Sequence, residues 1–171
     1  MFWLGIIIGV IGAWLFREML LGYPATPSGI KTLGRKSYAV VRAIGEALLP
    51  PGGAIPISAE EANVPEFIDN YVATVPKLTG RLMLMLFFLM EHATYFFAFT
   101  TRRLSEMDVE ERIKYLEGWE DSSLYPRRLA FTGLRAIYGM AYLGHPEVEA
   151  AMGFRMNDNC REALLIERSS S

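Results

Sequence analysis

An apolar run near the middle of the chain constrains the possible fold more than any other feature. Residues 82–101 read LMLMLFFLMEHATYFFAFTT. As a single helix this run would extend roughly 30 Å, close to the thickness of the hydrocarbon core of a bilayer. Glu91 and His92 stand near its midpoint, where an ionised side chain facing lipid would cost about 3 kcal/mol. We therefore interpret the run as the central helix of a folded domain and not as a membrane span.

Apolar side chains occur all the way around this predicted helix, so every side of it has to be covered. A chain of 171 residues has room for about four further helices, which are too few to enclose it completely. We therefore expect part of this surface to contact a second protein or lipid. The candidate side chains for this contact are Phe87, Phe88, Glu91, His92, Tyr95, Phe96, Phe97 and Phe99.

A second apolar segment opens the chain. Residues 2–16 carry no charge, and continuing past Arg17 to Tyr23 gives about 22 residues, which is enough to cross a bilayer. No basic stretch precedes the segment, so we predict an uncleaved membrane anchor over residues 1–23 and not a secretory signal. Basic residues follow it, which by the positive-inside rule places the body of the protein on the cytoplasmic side. The candidate packing and interfacial residues of the anchor are Trp3, Gly5, Gly9, Gly12, Trp14 and Arg17.

The rest of the chain shows helical periodicity and no strand pattern, so the predicted fold class is all-α. Residues 24–29 are a predicted linker, residues 30–154 a compact bundle of about five helices around the central one, and residues 155–171 a polar tail. Ser105 together with Asp108 is expected to cap the helix that follows them. Individual helices are predicted at 30–49, from Pro65 to the residue before Pro76, at 82–101, after Asp108, at 127–143 and after His145.

The sequence offers no recognisable catalytic, cofactor-binding or metal site. Its net charge of −2 gives no reason to expect a nucleic-acid partner, and the single cysteine, Cys160, excludes an internal disulfide. Adjacent helical residues point about 100° apart, so Glu91 and His92 do not form an acid–base pair. His92 and His145 leave open a haem held between two helices. We expect Arg127 to form a surface salt bridge.

The order of motifs over about residues 44–154 resembles a known family. The motifs are ALLPPGGAIP, VPEFIDNYV, the bulky apolar helix, RLSEMDVEERIKYLEGWEDS, PRRLAFTGLRAIYGMAY and HPEVEAAMGF. In this order they resemble the gluconate 2-dehydrogenase subunit 3 type of small subunit, and they are similar to the helical region that precedes the flavin domain of long-chain fatty alcohol oxidases. Such small subunits accompany flavoproteins of the glucose–methanol–choline (GMC) family, which carry FAD and oxidise an alcohol. The resemblance implies an accessory subunit whose partner, and not the chain itself, holds the FAD.

Three functions are compatible with these observations. In the first, the chain is a non-catalytic subunit that docks on a GMC-type large subunit acting on a long-chain alcohol or a sterol-like substrate, and holds it at the bilayer. In the second, it is a standalone membrane-tethered lipid-binding or scaffold protein whose aromatic side chains line a pocket for an acyl chain. In the third, it is an electron-transfer subunit that carries a haem.

Overall fold

A computed structural model of the chain describes residues 22–98 and 100–153. Within these residues the protein contains seven α-helices, one 3-10 turn and no β-strand, which confirms the all-α prediction for this part of the chain. The elements are α1 (Arg35–Leu48), α2 (Val64–Thr74), α3 (Lys77–His92), α4 (Thr94–Phe97), the 3-10 turn (Leu104–Glu106), α5 (Val109–Glu120), α6 (Tyr125–Leu143) and α7 (Pro146–Ala151). The predicted tail lies outside the described residues, and so do residues 1–21 of the predicted anchor, with Trp3, Gly5, Gly9, Gly12, Trp14 and Arg17.

Helix α1 occupies the centre of the domain, where it contacts α2, α3, α5 and the 3-10 turn. Apart from Tyr38, its buried side chains are small or β-branched, and they are Ala39, Val40, Val41, Ala43, Ile44 and Ala47. Such residues let neighbours approach closely, and a Cβ atom at Gly45 would lie only 3.0 Å from the Cβ atom of Ala59. The prediction that the apolar helix of 82–101 is central is therefore wrong, because the bulky residues of α3 are covered mainly on one face.

The segment before α1 is held by a buried carboxylate. Asp69 on α2 accepts hydrogen bonds from the backbone N–H groups of Lys31, Thr32 and Leu33, at 3.0, 2.8 and 2.6 Å. These bonds hold the chain in a non-helical conformation, so α1 begins at Arg35 and not at residue 30 as predicted. The predicted linker, residues 24–29, is consequently a surface segment whose downstream end is attached to the domain.

The predicted single helix over 82–101 consists of two helices, α3 and α4, with Ala93 between them. Side-chain hydroxyl groups form hydrogen bonds with backbone carbonyl groups at this break. The Tyr115 hydroxyl donates to the Met90 carbonyl oxygen at 3.0 Å, and the buried Thr94 hydroxyl lies 3.3 Å from the Glu91 carbonyl oxygen and 3.0 Å from that of Arg102. The chain therefore turns after His92 instead of continuing as a helix.

Helix α5 begins after Asp108, whose backbone N–H donates to the Glu111 carboxylate at 3.2 Å. Ser105 takes no part in this cap, contrary to the prediction, because its backbone N–H and its hydroxyl both donate to Glu91. Helix α6 ends at Gly144, as predicted, and the hydroxyl of its fully buried Tyr138 donates to the Val41 carbonyl oxygen at 2.7 Å. This hydrogen bond joins α6 to the central helix.

Candidate functional site

Four side chains at the junction of α3 and α4 form a surface that we call the aromatic corner: Phe88, Tyr95, Phe96 and Phe97. Phe96 is 76% exposed, Phe88 is 45% exposed and Phe97 is 41% exposed, while Tyr95 is half-buried. Large aromatic side chains usually cluster in a core, so three exposed ones at one junction indicate a contact surface. These four residues were all candidates in the sequence.

Phe97 is held in a defined position by residues of α5 and α6. Its ring meets that of Trp119 edge to face with centroids 5.9 Å apart, and the Arg127 guanidinium lies over it with Cζ 3.9 Å from the centroid. The same guanidinium lies 4.9 Å from the Trp119 ring. Arg127 is thus stacked on two aromatic rings, which corrects the expectation of a surface salt bridge. Only the folded chain brings Arg127 and Phe97 together, since they are thirty positions apart in the sequence.

A shallow cavity of about 330 Å³ adjoins the aromatic corner. Its lining residues come from α4, from α5, from the first turn of α6 and from the loop between α4 and α5, and they are Phe97, Ala98, Thr100, Met107, Glu111, Lys114, Tyr115, Gly118 and Arg127. Exposed aromatic side chains beside an arginine and a concave surface are typical of the energetically dominant centre of a protein interface.

The other sequence candidates lie elsewhere. Phe87 is almost completely buried in the core, so the expectation that it faces a partner or lipid is wrong. Glu91 is fully buried and His92 nearly so, and neither forms part of the outer surface. Phe99 lies outside the described residues. Sequence periodicity alone does not separate Phe87 from Phe88, because the apolar residues of this helix have no single face.

Glu91 is the acceptor of a buried hydrogen-bond cluster, the Glu91 cluster, which consists of Tyr23, Glu91, Arg103 and Ser105. The carboxylate accepts hydrogen bonds from the Tyr23 hydroxyl at 2.9 Å, from the Ser105 hydroxyl at 2.6 Å and from the Ser105 backbone N–H at 3.0 Å. Arg103, also buried, places Nε 4.0 Å from the carboxylate and Cζ 4.4 Å from the Tyr23 ring centroid. The polar group in the apolar helix is therefore satisfied internally, and it ties Tyr23 to α3.

The electrostatics of the Glu91 cluster favour Tyr23 as a donor. Burial, and then the charge of Glu91, raise the pKa of the Tyr23 phenol well above its usual range. The hydroxyl therefore stays protonated at neutral pH. Lys36 lies beside this cluster, with Nζ 4.2 Å from the ring centroid of Phe88 and 5.8 Å from that of Tyr23. Tyr23, α1 and the aromatic corner are thus neighbours in space.

His92 lies between two rings of the aromatic corner, with its own ring centroid 4.7 Å from that of Phe88 and 6.0 Å from that of Tyr95. Neither imidazole nitrogen has a hydrogen-bond partner. Burial, followed by the positive charges of Lys36 and Arg103, lowers the pKa of His92 to about 4. The imidazole is therefore neutral at physiological pH and fills space beneath the exposed aromatic side chains. Haem binding by His92 and His145 stays a prediction.

Helix α3 carries a second exposed apolar surface, the outer stripe, formed by Leu78, Leu82, Met85 and Leu89. These residues are between 48% and 70% exposed and recur in steps of four, three and four. This spacing places them on one face of the helix, opposite Gly80, Met83, Phe87 and Met90, which face the core. Sequence reasoning did not single out the outer stripe, although its heptad-like spacing is visible in the sequence.

An apolar groove of about 420 Å³ lies between α1, the loop that follows it and the start of α2. Its lining residues are Val41, Arg42, Gly45, Glu46, Leu49, Pro50, Pro51, Ser58, Ala59, Glu60, Val64, Pro65 and Val109. The second functional hypothesis expected the aromatic side chains to line a pocket for an acyl chain, and none of those of the aromatic corner lines this groove. That hypothesis stays a prediction.

None of the helices within residues 22–98 and 100–153 is both long and apolar enough to cross a membrane. Over the same residues, no group of three or more His, Cys, Asp or Glu side chains is placed to hold a metal ion. Comparison of the chain with protein-family models, curated proteins and solved structures finds no match.

Proposed function

We propose that this chain is a non-catalytic accessory subunit that docks through the aromatic corner on an FAD-dependent dehydrogenase or oxidase of the GMC type and holds it at the membrane. The large subunit would bind FAD and oxidise a long-chain alcohol or a sterol-like substrate. The resemblance of residues 44–154 to small subunits of this kind supports the identity of the partner. The observation that carries the docking site is the exposure of Phe96, three-quarters of whose surface is open to solvent.

The aromatic corner is suited to docking because three of its four side chains, Phe88, Tyr95 and Phe97, pack against other residues of the domain. Phe97 is fixed by Trp119 and Arg127, and His92 fills the space between Phe88 and Tyr95. A surface that is ordered before binding loses little side-chain entropy on association, so more of its buried area appears as affinity. Aromatic residues and arginine are also the types that contribute most to binding at protein interfaces.

Location at the membrane has a functional rationale for the proposed substrate class. A long-chain alcohol or a sterol partitions into the bilayer, because burying each methylene group contributes about 0.8 kcal/mol. A large subunit held against the bilayer would receive such a substrate from the lipid phase. The predicted anchor at residues 1–23 provides the attachment in this proposal.

Co-expression tests the proposed function. The large subunit to use is chosen from the products of the neighbouring reading frames by a GxGxxG motif near its amino terminus. It is expressed alone, with the wild-type chain and with the Phe96→Ser variant, and its activity in the membrane fraction is measured. We expect the wild-type chain to increase this activity and Phe96→Ser to weaken the complex by about 2 kcal/mol, or roughly 30-fold in Kd.

Phe67→Ser is the matched control, because Phe67 is also exposed but lies on α2, outside the aromatic corner. We expect this variant to behave like the wild-type chain. Equal recovery and activity of the flavoprotein with and without the chain would refute the proposed function. Equal losses with Phe96→Ser and Phe67→Ser would refute the docking site.

A further inference from the structure

The two exposed apolar surfaces of the domain differ in chemistry. The aromatic corner consists of aromatic side chains beside Arg127, whereas the outer stripe consists of flexible aliphatic and thioether side chains along about three turns of one helix. An aromatic surface with a fixed arginine is suited to a folded protein. A long stripe of flexible aliphatic side chains is suited to contact with the acyl chains of a lipid bilayer.

The charges on α3 distinguish among possible partners of the outer stripe. Lys77 and Arg81 are exposed on this helix, while its single acidic residue, Glu91, is fully buried in the Glu91 cluster. The solvent-facing part of α3 is therefore apolar and positively charged. A helix with this combination typically lies in the interface of an anionic membrane, where its apolar face enters the boundary between head groups and acyl chains.

The end of the predicted anchor lies close to the last turn of α3. The opening apolar segment is followed by Gly22 and Tyr23, and the Tyr23 hydroxyl donates to Glu91 in the last turn of α3. Lys36 lies over the rings of both Tyr23 and Phe88, so the start of the described chain is beside the end of α3. An anchor that ends at Tyr23 would bring the lipid surface to this helix.

From these three observations we propose that the outer stripe lies on the surface of an anionic bilayer, with α3 parallel to the membrane plane and Lys77 and Arg81 among the lipid phosphates. The inference rests on the proposed membrane attachment and deepens it by naming the face of the domain that contacts lipid. The proposal thus assigns the outer stripe to lipid and the aromatic corner to the flavoprotein. The outer stripe provides the lipid contact, and the anchor provides the attachment.

Fluorescence quenching in vesicles tests this inference on the full chain. Cys160→Ser removes the native thiol, and a single cysteine introduced by Leu82→Cys or Met85→Cys carries an environment-sensitive fluorophore. Leu129→Cys is the matched control, because Leu129 is exposed to a similar extent but lies on α6. Each labelled chain is inserted into vesicles of phosphatidylcholine and phosphatidylglycerol, with quenchers placed either in the acyl chains, as brominated lipid, or in the water, as iodide.

We expect the labels at positions 82 and 85 to be quenched by brominated lipid and protected from iodide, and the label at position 129 to show the reverse. Replacing both cations, by Lys77→Glu with Arg81→Glu, should reduce the lipid-bound population, because each cation near an anionic surface strengthens association about fivefold. Quenching of the outer stripe that is unchanged by this double substitution would overturn the role of the cations.

Three results would overturn the inference itself. They are exposure of labels 82 and 85 to iodide, protection of these labels from both quenchers, and equal lipid quenching at positions 82 and 129. Protection that appears only when the flavoprotein is added would assign the outer stripe to that protein. A chain that does not enter vesicles at all would refute the membrane attachment in the proposed function, whereas insertion with a water-exposed stripe refutes only this inference.

Discussion

Replacing Glu91 provides the most direct test of how the domain is held together, because its carboxylate is the common acceptor of the Glu91 cluster. Glu91→Ala would leave the Tyr23 hydroxyl and two donors of Ser105 without their acceptor, beside the buried Arg103. Arg103 keeps its ion pair with Glu106, so the cost comes mainly from the three donors left without their acceptor, at about 1–3 kcal/mol for each one that is buried. We therefore expect Glu91→Ala to lower the free energy of unfolding by about 4 kcal/mol, a large part of the total for a domain of this size.

Two milder substitutions make the reasoning quantitative. Glu91→Gln keeps the size of the side chain and one acceptor oxygen, so we expect a loss of about 2 kcal/mol. Tyr23→Phe removes a single hydrogen bond to a carboxylate and should cost about 1.5 kcal/mol. Glu117→Gln, which changes an exposed carboxylate on α5, is the matched control and should change stability by less than about 0.5 kcal/mol.

The assay is urea unfolding of the full chain in mild detergent, followed by far-ultraviolet circular dichroism. The double-mutant cycle of Tyr23→Phe with Glu91→Ala isolates the interaction between the two side chains, because alanine offers no acceptor, and we expect a coupling energy of at least about 0.5 kcal/mol. Wild-type stability of Glu91→Gln, or a coupling energy indistinguishable from zero, would refute the view that this cluster joins Tyr23 to α3.

Two further predictions concern buried groups whose pKa is shifted. The pKa of His92 is lowered to about 4 in the folded chain, against about 6.5 in the unfolded chain. The free energy of unfolding therefore falls as the pH decreases from about 6.5 to about 4, by at most about 3 kcal/mol. His92→Met should remove this part of the pH dependence, and identical pH profiles of the variant and the wild-type protein would contradict the prediction. Burial alone would raise the pKa of Asp69, but hydrogen bonds from the backbone N–H groups of Lys31, Leu33 and Thr32 lower this pKa overall. The ionised carboxylate therefore stabilises the folded chain at neutral pH, and this contribution is lost as the pH falls through the pKa of the folded state. Asp69→Asn should cost about 2 kcal/mol at neutral pH and accelerate hydrogen exchange of these three amides, and unchanged exchange would contradict the assignment.

The parts of the fold that were predictable from sequence depend on local signals. Helix α2 begins at Val64, one residue before its predicted start at Pro65. Pro76 separates α2 from α3, and α6 ends at Leu143, before Gly144, both as predicted. Proline and glycine act through the conformation of their own backbone, so their effect is visible in a short stretch of sequence. The all-α class and several helix boundaries follow from such residues.

The errors concern contacts between residues far apart in the chain. Ser105 has the sequence context of a helix cap, but its hydroxyl is used by Glu91, fourteen residues away. Arg112 donates to Glu46 at 2.5 Å across 66 positions of the chain. Local periodicity contains no information about such partners. The same limit applies to the candidate site, where sequence identified the aromatic side chains but not Arg127.

Gly22 and Tyr23 limit how far the domain can swing relative to any preceding part of the chain. Gly22 has a φ of +95°, and a Cβ atom there would lie 3.3 Å from the Arg103 guanidinium, so a larger residue would be strained. Tyr23 is bonded to Glu91. Residues 24–29 follow this attachment point, so lengthening them would not let the domain move farther from the preceding chain. Residues inserted between 21 and 22 would lengthen the linker and allow that movement.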